Sequence, residues 1–171
     1  MVIVMSTEGS MKDDATRGDL QGYLERWGML FELLGATRMM GRILAWLLVS
    51  DPPEQSAGDI AQAVGASAGS VSTTTRALTQ SGMVERLGIP GERSAHFRVR
   101  SGVWGQLLRK RMSYIVSMRD LVEEGLELSA GEGEDSTLRL RELGSYCSFI
   151  ERELPAFIAR WEKDWEKERQ R

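Results

Sequence analysis

The chain has 171 residues, 42% hydrophobic and 27% charged, with one cysteine, one histidine and a formal charge of −3. That composition suits a soluble globular domain with a helical appendage. It excludes a disulfide framework, which points to a reducing, cytoplasmic setting, and it leaves too few N/S ligands for a protein-built zinc site.

No metal or cofactor is expected, and the longest apolar run, Ile43–Val49, is too short to span a bilayer. Met1–Met5 lacks the basic start and the long apolar stretch of a signal peptide. Residues 1–18 are polar and without periodicity, and are expected to be disordered. From Leu20, apolar residues recur at helical spacing through Tyr23, Leu24, Trp27, Leu30, Phe31 and Leu34. Asp19 is the expected N-cap of this helix and Gly35 its stop. A second helix, Thr37 to Ser50, is apolar almost all round in its later turns and should be buried; Asp51-Pro52-Pro53 ends it.

Two short helices follow. The first, Ser56 to Val64, turns Ile60, Ala61 and Val64 inward and ends at Gly65, a natural left-handed cap. Ser67 caps the next, which runs to Gln80 and closes at Gly82. Helix, short glycine-bearing turn, helix is the helix-turn-helix pattern. Met83–Ile89 and Ser94–Arg100 then read as two strands joined by Pro90-Gly91-Glu92-Arg93. Phe97 and Val99 alternate with His96, Arg98 and Arg100, so one face is apolar and the other basic, with His96 on the surface. A hairpin directly after a helix-turn-helix is a wing.

Charge is concentrated there. Residues 84–111 hold seven basic side chains against Glu85 and Glu92, net +5, whereas residues 1–55 carry −3 and residues 112–171 carry −5. Binding follows local potential rather than the total.

Two long helices complete the chain. Val103 to Leu128 carries Trp104, Leu108, Ile115, Met118 and Val122. Beyond the linker 129–135, Leu140, Leu143, Cys147, Ile150, Leu154, Phe157 and Trp161 form a heptad seam suited to packing on another helix. Pro155 should kink that helix or split it in two. Cys147 reads as a buried structural thiol. Trp161 and Trp165 lie one turn apart and suit either core packing or an aromatic cage for a cation.

Gly41-Arg42-Ile43, Ser56 with Asp59-Ile60-Ala61, Ser67-Ala68-Gly69-Ser70-Val71-Ser72, Leu78, Gly82-Met83-Val84 and Pro90-Gly91-Glu92-Arg93 together resemble MarR-type winged-helix transcriptional regulators. Within that family they resemble the GbsR-like branch most. The likeness is dense over residues 35–100 and extends to the flanking helices in layout. It implies a homodimer with intertwined terminal helices, bound to pseudo-palindromic double-stranded DNA. Several members are released by a small-molecule effector, although no ligand motif carries across. Ala68 departs from the family, whose members often place a basic residue there, so one expected DNA contact is missing.

The expected fold is therefore mainly α with a small β-hairpin wing: a winged helix-turn-helix domain over 19–102 and a helical dimerisation region over 103–171. With Val71, Thr75 and Leu78 marking the buried face, the reading helix presents Gly69, Ser70, Thr73 and Arg76, with Ser72 on its flank and Ser67 at its start. Arginine clamps guanine bidentately, and hydroxyls meet base edges or phosphates. Arg93 at the hairpin tip suits a minor groove, and Arg86, Arg98 and Arg100 suit phosphates. Leu24, Trp27, Phe31, Leu143, Ile150, Leu154, Phe157 and Trp161 are the expected dimer contacts. No catalytic constellation is assembled, so no enzyme is expected. The expected output is repression of transcription. The alternative is a winged helix used as a protein-interaction module without specific DNA binding.

Overall fold

The computed structural model describes residues 7–129 and 134–171, with side-chain surroundings described from residue 18 to 129 and from 137 onward. Helices α1 (Thr7–Leu33) and α2 (Arg38–Val49) lead into β1 (Gln55–Ser56), α3 (Ala57–Val64) and α4 (Ala68–Gln80). The wing strands β2 (Val84–Gly88) and β3 (Ala95–Val99) follow, then α5 (Val103–Leu128) and α6 (Glu134–Arg169). The chain forms two compact units, residues 1–101 and 102–171. Among the described residues no helix is long and apolar enough to cross a membrane.

In the first unit, α1 and α2 cross backbone to backbone. A methyl group on Gly41 would collide with the Trp27 carbonyl and lie 2.9 Å from the Gly28 Cα. Side chains larger than hydrogen would hold the two helices apart. The core beneath gathers Leu24 and Phe31 of α1, Ile43, Leu44 and Leu47 of α2, Ile60 and Val64 of α3, Val71 and Leu78 of α4, and Val84 and Phe97 of the wing. Half-buried Arg42 ties three helices together: its guanidinium donates to the Val64 carbonyl at 2.6 Å and lies 3.1 Å from Glu25.

Local chemistry places the helix ends. Thr37 caps α2 and Ser67 caps α4, each through its side-chain oxygen. Ser56 and Asp59 form a reciprocal capping box on α3. Gly65 (φ 60°) makes the left-handed turn between α3 and α4. Gly91 (φ 89°) does the same at the wing tip.

The sheet has three antiparallel strands in the order β1-β3-β2. Periodicity exposes only the hairpin, because β1 is two residues long and shows no alternation. Arg98 of the central strand bridges both neighbours, 2.6 Å from Glu85 of β2 and 2.8 Å from Glu54 at the start of β1. Since Ser56 both ends β1 and caps α3, this ladder couples the wing to the first helix of the helix-turn-helix.

Several expectations are corrected. Residues 1–6 lie outside the described part, but α1 already begins at Thr7 rather than at Asp19. A helical stretch with no apolar stripe leaves no periodic signature. His96 is buried (6% exposed), not on the wing surface. Its Nε2 lies 3.0 Å from a Glu92 carboxylate oxygen and its Nδ1 3.3 Å from the Ser94 carbonyl. Leu24 and Phe31 belong to the winged-helix core of their own chain, which leaves them no surface for a partner.

In the second unit, α5 and α6 pack side by side, joined by ion pairs Arg119–Glu151 (2.8 Å) and Arg109–Glu162. Pro155 does not split α6, which runs continuously through it. Cys147 is buried as expected, but the next fully buried residue is Ile158, while Phe157 is 51% exposed. At about 3.6 residues per turn Ile158 lies about three full turns beyond Cys147, so it rather than Phe157 shares the buried face.

Two stability tests follow. Gly41→Ala should lower stability by about 1–3 kcal/mol through overpacking, measured by urea denaturation. Gly58→Ala, whose added methyl would meet only Ser56 Oγ at 3.5 Å, should be neutral or stabilising; equal losses at both sites would refute the close crossing. The second test concerns pH. The Arg98 guanidinium holds the Glu54 carboxyl below its ordinary value, and the Ser56 hydroxyl and N–H do the same for Asp59. Both groups release protons on folding, so their stabilisation is complete above the ordinary carboxylate range and is lost as pH falls through the lowered values. Urea midpoints should therefore drop on acidification, and the drop should be shallower in Asp59→Asn.

Candidate nucleic-acid interface

Helix α4 buries Val71, Thr74, Thr75 and Leu78 against the core. The hydroxyls of Thr75 and Thr79 donate back to the Val71 and Thr75 carbonyls at 2.8 and 2.7 Å, so the inward polar groups are satisfied locally. The outward side carries Gly69, Ser72, Thr73 and Arg76, all exposed, with Ser70 half-exposed. The helix contains no acidic residue. Ser67 is exposed and its oxygen accepts the Ser70 N–H at 3.2 Å. Its own O–H proton remains free to donate. Small residues over the first turn leave backbone N–H groups approachable by an anion.

The wing packs on α4 through β2 and divides its arginines by partner. Arg86 and Arg93 are exposed, and among the described residues neither they nor Arg76 form an ion pair. Arg98 is different. Held by Glu54 and Glu85, with its acidity lowered first by the Glu85 hydrogen bond, its part-exposed guanidinium braces the sheet and is not the free cation its spacing suggests. Arg100 is half-exposed, its backbone N–H donating to the Met83 carbonyl at 3.0 Å and its Nε buried. Sequence reasoning brings Ser67, Gly69, Ser72, Thr73 and Arg76 to one helix and Arg86 and Arg93 to the adjoining hairpin, and the structure keeps them there. It missed the two glutamates that neutralise Arg98; the signal was their register, since Glu85 lies directly opposite Arg98.

Among the expected dimer contacts, Trp27 packs partly on the core, and Ile150, Leu154 and Trp161 are half-buried within the second unit. Leu143 and Phe157 are exposed. Residues not expected at a dimer contact present more apolar surface: Met29 and Leu33 on α1, Leu34 just beyond it, Leu121 on α5, and Tyr146 and Phe149 on α6.

Comparison with known proteins agrees with this architecture. Residues 102–164 match a family described as MmpR5-like MarR family transcriptional regulators. The HTH-type transcriptional regulator MmpR5 of Mycobacterium tuberculosis is 32% identical over 157 residues, covering 92% of this chain and 95% of that protein. A crystal structure of a transcriptional regulator superposes with a TM-score of 0.71 at 34% identity, covering 85% of this chain and 99% of the other. These relatives are regulators, not enzymes. Related along nearly its whole length to such a protein, the chain belongs to the MmpR5-like MarR family of transcriptional regulators.

Proposed function

We propose that this regulator binds double-stranded DNA in the cytoplasm as a homodimer, with α4 in the major groove and the wing against the adjoining backbone or minor groove. The carrying observation is the acid-free outward face of α4 beside a wing whose Arg86 and Arg93 are exposed. In this reading Arg76 supplies base discrimination, Ser67, Gly69, Ser70, Ser72 and Thr73 fit the helix to the groove edge, and Arg86, Arg93 and Arg100 meet phosphate or the minor groove. Residues 19–102 form the DNA-binding part and 103–171 the dimerisation part.

Dimerisation is supported by exposed apolar side chains on the long helices, including Leu33 at 85% exposure and Phe157 at 51%. Large apolar side chains exposed on a helix mark surfaces that associate. Repression is the simplest output, because a bound dimer occupies DNA that polymerase needs, and release by a small-molecule effector completes the regulatory cycle. Placement on the GbsR-like branch rests on the quoted helix-turn-helix and wing residues alone, since the matching family is the MmpR5-like one.

A second reading, a protein-interaction module, is favoured by Ala68 and by the neutralised Arg98, both of which reduce free positive charge. Salt dependence separates the two. A DNA-binding dimer should lose affinity steeply with salt, and Arg86→Ala should shallow the log–log slope by about 2 per dimer, roughly 0.9 for each lost phosphate contact. Arg76→Ala should relax preference at one base pair per half-site, by about 1–3 kcal/mol. Arg98→Gln should weaken binding without changing the slope. Absence of measurable DNA binding at low salt would refute the DNA reading and favour the protein-partner one.

A further inference from the structure

A half-open cavity of about 940 Å³ lies within the first unit, walled by the middle of α1, the end of α2, β1, α3 and the wing. Its volume is that of a small-molecule site. The lining has two chemistries. Leu20, Trp46, Pro52 and Ile89 supply apolar and aromatic surface, and Glu54, Asp59 and Glu92 supply carboxylates, with no lysine or arginine lining it among the described residues.

The polar wall is already built. Buried Gln55 accepts the Trp46 indole N–H at 3.1 Å and donates to the Pro52 carbonyl at 2.7 Å, which fixes the ring. Buried His96 stands between Glu92 and the Ser94 carbonyl. Arg98 offsets the charge of Glu54, but Asp59 is held only by the neutral Ser56 donors, which leave its negative charge in place. Among the described residues, His96 is the one basic group paired with Glu92. The site thus keeps a negative balance beside an aromatic wall, the combination that attracts an organic cation. A bare metal ion does not fit: among the described residues no three His, Cys, Asp or Glu side chains converge to hold one.

We propose that this cavity binds an organic cation with an apolar, aromatic-sized body, and that its occupant acts on the wing through Glu92 and Ile89. The geometry couples them. The Glu92 N–H donates to the Ile89 carbonyl at 3.0 Å, closing the wing turn, and Glu92 immediately precedes Arg93. A cation that draws in Glu92 moves the turn that carries Arg93. The coupling half rests on the DNA-binding reading; the binding half does not.

The test uses the full chain and two probes of the same shape and opposite charge, tetraphenylphosphonium and tetraphenylborate, in titration calorimetry. The cation should bind at one saturable site per chain and the anion should not. Glu92→Gln should weaken the cation roughly tenfold, as expected for one charge removed near contact under surface screening. Trp46→Phe should remove the fluorescence change that accompanies binding. Equal binding of both ions, no binding of the cation, or unchanged affinity in both Glu92→Gln and Asp59→Asn would overturn the site; Glu92→Gln leaves the α3 capping box intact, so misfolding does not mask the answer. DNA affinity is measured separately. The cation should shift it several-fold in the wild type and not in Glu92→Gln, and an unchanged DNA affinity with saturated cation would overturn the coupling. A chain that binds the cation but no DNA would refute the DNA reading while upholding the cavity.

Discussion

One guanidinium held between two carboxylates determines how the wing stands on the rest of the molecule. Arg98 occupies the central strand, Glu85 the strand on one side, and Glu54 the start of the strand on the other. The second of these strands runs straight into the capping box that begins α3. Water screens much of the attraction, so the ladder contributes chiefly geometry. It fixes the hairpin to the helix-turn-helix, and α4 in turn is fixed by the face that buries Val71 and Leu78. The base of the wing and the reading helix are thereby tied to one sheet and one core.

The same interaction changes the meaning of the basic segment. Its net charge of +5 counts seven cationic side chains, but Arg98 is committed to the sheet and Arg109 to Glu162. The charge available to a polyanion is narrower than the sum: Arg86 and Arg93 are exposed on the wing and Arg100 half-exposed at its end, Lys110 and Arg111 are exposed on α5, and Arg76 stands on the helix beside the wing. Carboxylates are distributed differently, three of them lining the cavity beside the sheet. A chain of formal charge −3 thereby offers a confined positive surface and a separate negative one.

Most of the winged helix was legible in the order of residues because each element carries its own punctuation. Ser56, Gly65, Ser67 and Gly91 mark caps and turns that the structure uses as such. What escaped is set by distant packing. Nothing local distinguishes Leu24, buried in its own chain, from Leu33, exposed on the same helix; the difference is the crossing with α2 at Gly41. His96 alternates like a surface residue and is covered by a glutamate from the turn before it. Arg98 reads as a free cation until the register places Glu85 opposite. Along α6, Ile158 lies about three full turns beyond Cys147, so it and not Phe157 returns to the buried side.

The central claim is that two copies of α4 and its wing read DNA as a symmetric pair. Selection of bound duplexes from a random-sequence library by the full chain tests it most directly. The account predicts an enriched two-fold-symmetric motif whose half-sites lie about one helical turn, roughly 10 base pairs, apart. A single asymmetric half-site would contradict the paired arrangement, and no enrichment over the starting library would contradict sequence reading altogether.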